Sequence, residues 1–292
     1  MVHYIENQYL KIGIDHMGAQ LWSIQSKASG QEYLWQGDKA SWPDRAINLF
    51  PICCRLTDGC YTYQGKTYEM DIHGFLMSNP TEVAFHTADS ITFRLCDNEK
   101  TRIQYPFAFQ LDVVFALRGA TLQVAYDVTN RSDVTMPFAI GGHPGFQVPF
   151  DDGGFSDYDL QFDQSSTVKA IALTADCFVT DQRICLPLEK GRNLHLTHGL
   201  FDNDALVLED CPRSVTLKRR GGTKSITLSF PQMKYLGIWQ MPFTNAKYVC
   251  IEPWTGLPSA AGVVDDLETK TNLHHLPAGE STQYAFSIQI QE

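Results

Sequence analysis

The sequence predicts an all-β fold, a large antiparallel β-sandwich, and three observations support this prediction. Strand-like segments recur about every 10 residues along the chain, which is the spacing expected of sandwiches and barrels. No convincing window carries apolar residues at positions i, i+3, i+4 and i+7 of an amphipathic helix over three turns. Of the 292 residues, 43% are hydrophobic and 19% are charged, a globular composition that excludes a disordered chain.

Alternation of apolar and polar residues predicts three hairpins and a final strand. In residues 121–129, for example, the apolar side chains of Leu122 and Val124 share one face while Gln123 points the other way. Each predicted hairpin has a short turn between its two strands, and turns of this kind join antiparallel neighbours. The predicted strand pairs are 81–86 with 91–96, 109–117 with 121–129, and 214–218 with 225–230, and the last strand spans 283–290.

The chain is predicted to form one domain over residues 1–292. No Pro/Ser-rich linker and no low-complexity stretch divides it, and we interpret residues 149–158, with Gly153 and Gly154, as a long loop. Short helical turns are expected around 39–47. In a fold of this kind, function belongs on a concave sheet face or in the loops at its rim.

Charge and composition exclude several classes of partner. The formal net charge is 23 − 33 = −10, so the chain lacks the basic surface that nucleic-acid binding requires. No apolar stretch approaches the ~20 residues of a membrane span, and the first residues do not resemble a secretion signal. We therefore expect a cytoplasmic protein, neither membrane-bound nor nucleic-acid-binding, whose eight cysteines are reduced.

Familiar cofactor and metal motifs are missing from the sequence. There is no nucleotide-binding glycine loop, no nucleophile elbow and no Cys-x-x-Cys pair. His195 and His198 are three residues apart, and His274 and His275 are adjacent. Neither pair has a carboxylate or a cysteine nearby in the sequence to complete a metal shell, so no metal and no cofactor is expected.

Four segments each place one chemically capable side chain among glycines, prolines and aromatic residues. Glycine and proline there can fix strand ends and let a ligand approach the backbone. Taken alone, each segment is also compatible with a structural role, such as a hydrogen-bonded histidine, an edge-strand carboxylate or a salt-bridged arginine. The segments are 48–55, 73–75, 141–146 and 250–256.

Taken together and in order, these motifs resemble the aldose 1-epimerase (galactose mutarotase-like) superfamily, and within it the bacterial LacX-type branch. The resemblance covers nearly the whole chain and implies the family's β-sandwich, a supersandwich. It is carried by Phe50-Pro51 through Arg55, by His73-Gly74-Phe75, by Gly142-His143-Pro144-Gly145-Phe146 and by Glu252-Pro253-Trp254.

The resemblance implies which residues line a sugar cleft. His143 matches the general acid and Glu252 matches the general base. His73 and Arg55 match the residues that hold sugar hydroxyls and the ring oxygen. We expect the groups of His143 and Glu252 to face each other across a pocket the width of a pyranose.

Two further residues complete the predicted site. The family has a cleft aspartate, for which Asp204 is the first choice and Asp202 the second. Trp254, with Trp239 as a further candidate, supplies a flat apolar surface for the C–H face of a sugar. The predicted substrate-binding residues are thus Arg55, His73, Asp204 and Trp254.

The implied reaction interconverts the α and β anomers of a free aldose through the open-chain aldehyde. An ionised Glu252 would take the O1 proton while a protonated His143 donates to the ring oxygen, without a metal or a cofactor. The expected partner is a small sugar, and the chain is expected to be a monomer or a homodimer. A non-catalytic sugar-binding or sensing protein is the main alternative, followed by a glycoside hydrolase, which usually needs two carboxylates flanking the bond.

The sequence departs from the family pattern at two places. Cys54 stands where the family often has glycine, and Leu76-Met77 stands where it often has Ala-Arg. The missing arginine removes a group that would contact an anion, which disfavours a sugar phosphate. Cations elsewhere in the sequence that could replace it are Arg102, Arg131 and Lys247.

Overall fold

The computed structural model describes all 292 residues, and antiparallel strands dominate it. In chain order the strands are β1 (Val2–Glu6), β2 (Leu10–Asp15), β3 (Gln20–Ser26), β4 (Ala46–Leu49), β5 (Cys60–Tyr63), β6 (Lys66–Glu69), β7 (Glu82–His86), β8 (Ser90–Cys96), β9 (Phe109–Arg118), β10 (Thr121–Asn130), β11 (Met136–Phe138), β12 (Gly141–Gln147), β13 (Tyr158–Phe162), β14 (Lys169–Leu173), β15 (Val179–Cys185), β16 (Asn193–His195), β17 (Leu206–Glu209), β18 (Ser214–Arg219), β19 (Ser225–Ser229), β20 (Tyr235–Trp239), β21 (Tyr248–Trp254), β22 (His274–Leu276) and β23 (Ser281–Gln291).

Two large sheets form the body of the molecule. One has nine strands in the order β16-β13-β18-β19-β23-β10-β9-β8-β7, and the other has seven in the order β15-β14-β17-β20-β21-β12-β4. A three-stranded sheet (β1-β2-β3) and two two-stranded sheets (β11-β22 and β5-β6) complete the fold. The predicted all-β class is confirmed, and the three predicted hairpins are the antiparallel pairs β7/β8, β9/β10 and β18/β19.

The main core is a cluster of 64 buried residues that draws side chains from both large sheets. Strand β21 shows how the seven-stranded sheet divides its side chains, because successive residues point to opposite faces. Val249 and Ile251 join the main core. Cys250, Glu252 and Trp254 lie on the opposite face, which we call the outer face.

The prediction of helical turns around 39–47 is wrong. That segment contains a simple turn at residues 39–40 and then enters β4 at Ala46. The α-helix, α1, spans Glu99–Gln104 instead, where the side chain of Asn98 accepts hydrogen bonds from the backbone N–H groups of Lys100 and Thr101. A capping interaction of this kind satisfies the free donors of a first turn. Before segment 39–47, Asp38 accepts one such bond from the backbone N–H of Ala40, but no helical turn follows it.

The remaining helical elements are single 3₁₀ turns. None of the helices is both long and apolar enough to cross a membrane. The eight cysteines are all free thiols. The 3₁₀ turns span Thr57–Gly59, Leu76–Ser78, Phe155–Asp157 and His198–Phe201.

Candidate active site

Strand register brings His143 and Glu252 together. In the β12/β21 pair, Gly141 lies opposite Trp254 and Gly145 lies opposite Cys250, so His143 lies opposite Glu252 between them. Directly opposite residues of an antiparallel pair have Cβ atoms about 4.5–5.5 Å apart. Two residues more than 100 positions apart in the sequence are thereby neighbours on the outer face.

The imidazole and the carboxyl group are in close contact. His143 Nε2 lies 3.2 Å from Glu252 Oε2, although the atoms lack hydrogen-bond geometry. The side chain of His143 is 8% exposed and that of Glu252 is 1% exposed. The expectation that the two groups face each other across the width of a pyranose is therefore wrong. They stand side by side because they occupy adjacent strands at the same level.

Burial favours the uncharged forms of both groups. It raises the pKa of Glu252 well above its ordinary value of 4.5, and the nearby Asp204 carboxylate raises it further. It lowers the pKa of His143 well below 6.5, with a smaller contribution from His73. These shifts favour a protonated Glu252 and a neutral His143, which is the reverse of the charges expected from the sequence.

His73 is held as a hydrogen-bond donor. The backbone N–H of Cys54 donates to His73 Nδ1 at 3.1 Å, so in the neutral ring the proton is on Nε2. Burial, together with the neighbouring Arg55, lowers the pKa of His73 to about 3, which keeps the ring neutral. The next residue, Gly74, has a φ of +77°, and a Cβ there would collide with the Phe50 carbonyl. This turn therefore requires glycine.

The Asp204 carboxylate is clamped from two sides. The indole N–H of Trp239 donates to Oδ1 at 2.6 Å, and the thiol of Cys177 donates to Oδ2 at 2.6 Å. Asp204 has a φ of +68°, the left-handed region that aspartate tolerates better than most residues. The clamp fixes which way this acidic group faces.

All six residues predicted for the site line one pocket of about 260 Å³ on the outer face. They are Arg55, His73, His143, Asp204, Glu252 and Trp254. The alternative aspartate, Asp202, lines only a neighbouring cleft.

Aromatic rings enclose the imidazole at the floor of this pocket. The Trp42 ring lies 4.9 Å from the His143 ring, and the Trp239 ring lies 5.7 Å away, edge to face. The Trp254 ring lies over Gly237 of the neighbouring strand, where a Cβ would be only 2.9 Å from the ring. The pocket thus combines flat apolar walls with a few convergent polar groups, as small-molecule sites do.

Several buried polar atoms in the pocket have no partner within the protein. Buried polar groups are nearly always hydrogen-bonded, so a concentration of unpaired ones indicates a place where a ligand supplies the missing bonds. The unpaired atoms are Arg55 Nε, His143 Nδ1, both carboxyl oxygens of Glu252 and Trp254 Nε1.

One group of buried side chains beside the pocket has the donor atoms to hold a metal ion. The donor atoms of His143, Cys250 and Glu252 all lie within 4.8 Å of one another. A metal there would have to displace the proton of the Cys250 thiol, because the thiolate is the metal ligand. Burial and the Glu252 charge raise the pKa of that thiol well above 9.0.

Three contributors to the site were missed in the sequence. Trp42 and Asp44 lie in the segment expected to contain helical turns, and Cys177 lies in the hairpin between β14 and β15, far from every recognised motif. No local pattern marks any of them. The roles of Trp42 and Cys177 depend on contacts with His143 and with Asp204, which are distant in the chain.

Comparison with known proteins identifies the family. The aldose 1-epimerase family model matches residues 1–289. The chain is 30% identical to protein LacX of Lactococcus lactis subsp. lactis over 98% of each chain. A galactose mutarotase related enzyme from Lactobacillus acidophilus is 37% identical, with a TM-score of 0.95 over 100% of this chain and 98% of that one. A galactose mutarotase-like protein from Lactobacillus casei is 34% identical, with a TM-score of 0.94 over 99% and 100%.

The fold and the pocket thus define a β-sandwich of the mutarotase class. The chain belongs to the aldose 1-epimerase family, a family of isomerases that act on small sugars. The resemblance inferred from the four sequence motifs, to this family and within it to the LacX-type branch, is confirmed.

Proposed function

We propose that this protein is an aldose 1-epimerase that interconverts the α and β anomers of an uncharged aldose. The observation that carries the proposal is the His143–Glu252 pair, buried in a pocket where Arg55 Nε and Trp254 Nε1 also lack protein partners. At about 260 Å³, the pocket is slightly below the range of about 300–1,000 Å³ typical of small-molecule sites, and suits a single sugar ring.

Mutarotation needs a group that accepts the proton of O1 and a group that donates a proton to O5, the ring oxygen. The O1–H bond breaks and the ring oxygen gains a proton as the C1–O5 bond opens, and the reverse transfers close the ring on the other face of C1. O1 and O5 are bonded to the same carbon, so an acid and a base that stand side by side suit this reaction. Glu252 is proposed as the base towards O1 and His143 as the acid towards O5.

The pair works with one shared proton. A protonated Glu252 beside a neutral His143 holds the same number of protons as the carboxylate–imidazolium form that starts ring opening. The hydroxyl groups of a bound sugar would favour the carboxylate form, which burial disfavours. Substrate binding would thus move the proton to the imidazole before the C1–O5 bond opens.

The remaining polar residues would hold the sugar. The Nε2–H of His73 and the unpaired Nε of Arg55 donate to oxygen atoms of the ring, and the clamped Asp204 accepts from a hydroxyl group. Fixed donors near the ring oxygen also stabilise the charge that develops on it.

The charges of the pocket favour an uncharged sugar. One guanidinium, from Arg55, faces the three carboxyl groups of Asp44, Asp204 and Glu252. None of the cations considered as replacements for the missing family arginine lines this pocket, and two of them are engaged elsewhere, Arg102 with Asp97 and Arg131 with Gln110. A phosphate group would therefore meet a net negative surface.

Exchange spectroscopy by NMR tests the proposal directly. Free hexoses and pentoses, hexose 6-phosphates and pentose 5-phosphates are equilibrated with the protein, and the exchange rate between anomers is compared with the buffer rate. We expect faster exchange for free aldoses, little for the phosphates, and none with His143→Asn. Saturable sugar binding without faster exchange would contradict the proposal and favour a sugar-binding or sensing protein.

A further inference from the structure

We infer that a buried network formed by Lys270, Asp265 and Ser259 positions Arg55 for its contact with the sugar. The inference rests on the proposed function, in which Arg55 donates to oxygen atoms of the ring. None of the three network residues lines the pocket. They are therefore positioning residues, which act through the backbone that carries Arg55 and not by touching the substrate.

The loop that carries Arg55 has no regular structure of its own. It lies between β4 and the 3₁₀ turn at Thr57–Gly59, outside every strand and helix. Cys54 has a φ of +64°, a left-handed conformation that is uncommon for residues other than glycine. Such a conformation persists only where the surrounding structure holds it. The position of Arg55 must therefore depend on contacts with other parts of the chain.

Two pairs of hydrogen bonds hold this loop from opposite ends. At one end, the N–H of Cys54 donates to His73 Nδ1 at 3.1 Å, and its carbonyl accepts from the N–H of His73 at 2.7 Å. At the other end, the carbonyl of Arg55 accepts from the N–H of Ser259 at 3.0 Å, and the N–H of Thr57 donates to Ser259 Oγ at 3.0 Å. His73 belongs to the pocket, whereas Ser259 holds the loop from behind it.

Asp265 orients the hydroxyl group of Ser259. The Oγ–H of Ser259 donates to Asp265 Oδ2 at 2.5 Å. A hydroxyl group has a single hydrogen to donate, so this bond leaves the lone pairs of Oγ to accept from Thr57. Ser259 is completely buried, and a hydroxyl turned the other way would leave the N–H of Thr57 without a partner.

Lys270 completes the network with a buried ion pair. Its Nζ donates to Asp265 Oδ2 at 2.9 Å, and the two side chains are 4% and 11% exposed. Hydrogen bonds that involve ionised groups are shorter and stronger than neutral ones. A buried ion pair adds little net stability over apolar residues of the same volume, because desolvation offsets the attraction. The pair is therefore better explained by orientation of Ser259 than by stability.

A cycle of variants tests whether Ser259 acts through Arg55. Ser259→Ala removes the hydroxyl group, and Arg55→Met keeps the length of the side chain but removes the guanidinium. Misplacement of a binding group by about 1 Å can cost about 10²-fold in rate. We expect Ser259→Ala alone to lower kcat/KM for anomer exchange about tenfold or more, and by less than about twofold when added to Arg55→Met.

A second variant and a control complete the design. The paired change Asp265→Leu with Lys270→Met removes both charges of the ion pair, and should lower kcat/KM with the same dependence on Arg55 while the urea midpoint of unfolding changes little. Ser23→Ala is the matched control, because the hydroxyl group of Ser23 also donates to a carboxylate, that of Glu32, at 2.5 Å and outside the pocket. It should leave kcat/KM within about twofold of the wild-type value.

The outcomes separate this inference from the proposed function. Equal losses with and without the guanidinium of Arg55 would overturn the inference, as would a folded Ser259→Ala protein with wild-type kcat/KM. If Ser259→Ala does not fold, the same comparison with the paired variant decides between these results. All of them require an active wild-type protein. If the wild type accelerates exchange for no sugar, the proposed function is rejected and this inference fails with it.

Discussion

The two faces of the seven-stranded sheet use the same strands for opposite purposes. On β21, Ile251 belongs to the apolar main core, whereas Glu252 points to the outer face among unpaired polar atoms. Both side chains are almost completely buried. Burial alone therefore does not distinguish a residue of the core from a residue of the site. What marks the site is a buried titratable group that has no hydrogen-bond partner.

The largest expected effect is the loss of activity when Glu252, on the outer face, is replaced. Replacing Glu252 by Gln keeps the shape of the buried side chain but removes its ability to exchange a proton. A general acid–base group contributes about 10²–10⁴-fold, so anomer exchange should fall by about that factor. The free energy of unfolding, measured in urea, should equal that of the wild type or be slightly higher, because Glu252→Gln buries an amide in place of an ionisable carboxyl group. A near wild-type exchange rate would reject the assignment.

The adjacent residue on the inner face should show the reverse pattern. Ile251→Ala deletes buried methyl groups from the main core, which costs about 2–5 kcal/mol of unfolding free energy. Exchange kinetics below the unfolding transition should change much less than in Glu252→Gln. If Ile251→Ala lost activity while remaining as stable as the wild type, the division between the two faces would be wrong.

A smaller effect is expected when Trp239, which orients Asp204 on the outer face, is replaced. Trp239→Phe keeps an aromatic ring but removes the indole N–H that donates to the carboxylate. Hydrogen bonds to charged groups are worth about 1.5–3 kcal/mol, so KM should rise about tenfold or more, with kcat less affected. Trp22→Phe, the same change outside the pocket, is the control. An equal fall in kcat with KM unaltered would indicate a role at the reacting atoms instead.

The smallest expected effect is that of pH near neutrality. The active His143–Glu252 pair holds one titratable proton. Activity falls at low pH, when the imidazole of His143 is protonated while Glu252 is still protonated, and at high pH, when Glu252 is deprotonated while His143 is neutral. Burial lowers the pKa of His143 and raises the pKa of Glu252, so the pH range in which the pair holds one proton becomes wider. After subtraction of the buffer rate, kcat/KM should vary by less than about twofold between about pH 6 and pH 8.

Ordinary pKa values would produce a different profile. With values of 4.5 for the carboxyl group and 6.5 for the imidazole, the singly protonated pair would decline as the pH rises above 6.5. A bell-shaped profile with its maximum between those two values would show that the pair titrates as exposed groups do. The burial of the site on the outer face would then have no electrostatic consequence.

Much of the fold could be predicted because its signals are local. Alternation along 109–117 and 121–129 specifies a hairpin whatever the rest of the chain does, and β9 and β10 form it. The short helical segment was placed wrongly because its signal is a single capping residue, Asn98. Strand periodicity extends over many residues, whereas a one-turn cap depends on one side chain.

The residues of the pocket were identified through motifs, but their geometry was not. The sequence indicated His143 and Glu252, yet nothing in it specified that the two stand side by side. The sequence placed Asp204 before Asp202 as the cleft aspartate, and the structure shows that Asp204 lines the pocket whereas Asp202 does not.

The sequence by itself determined the all-β class, the three hairpins and the set of residues that can carry acid–base chemistry. Only the tertiary structure decided which face of the sheet holds them and which protonation states burial favours. The reason is physical. Strand patterns depend on neighbouring residues, whereas pKa values and cavities depend on groups that folding brings together from distant parts of the chain.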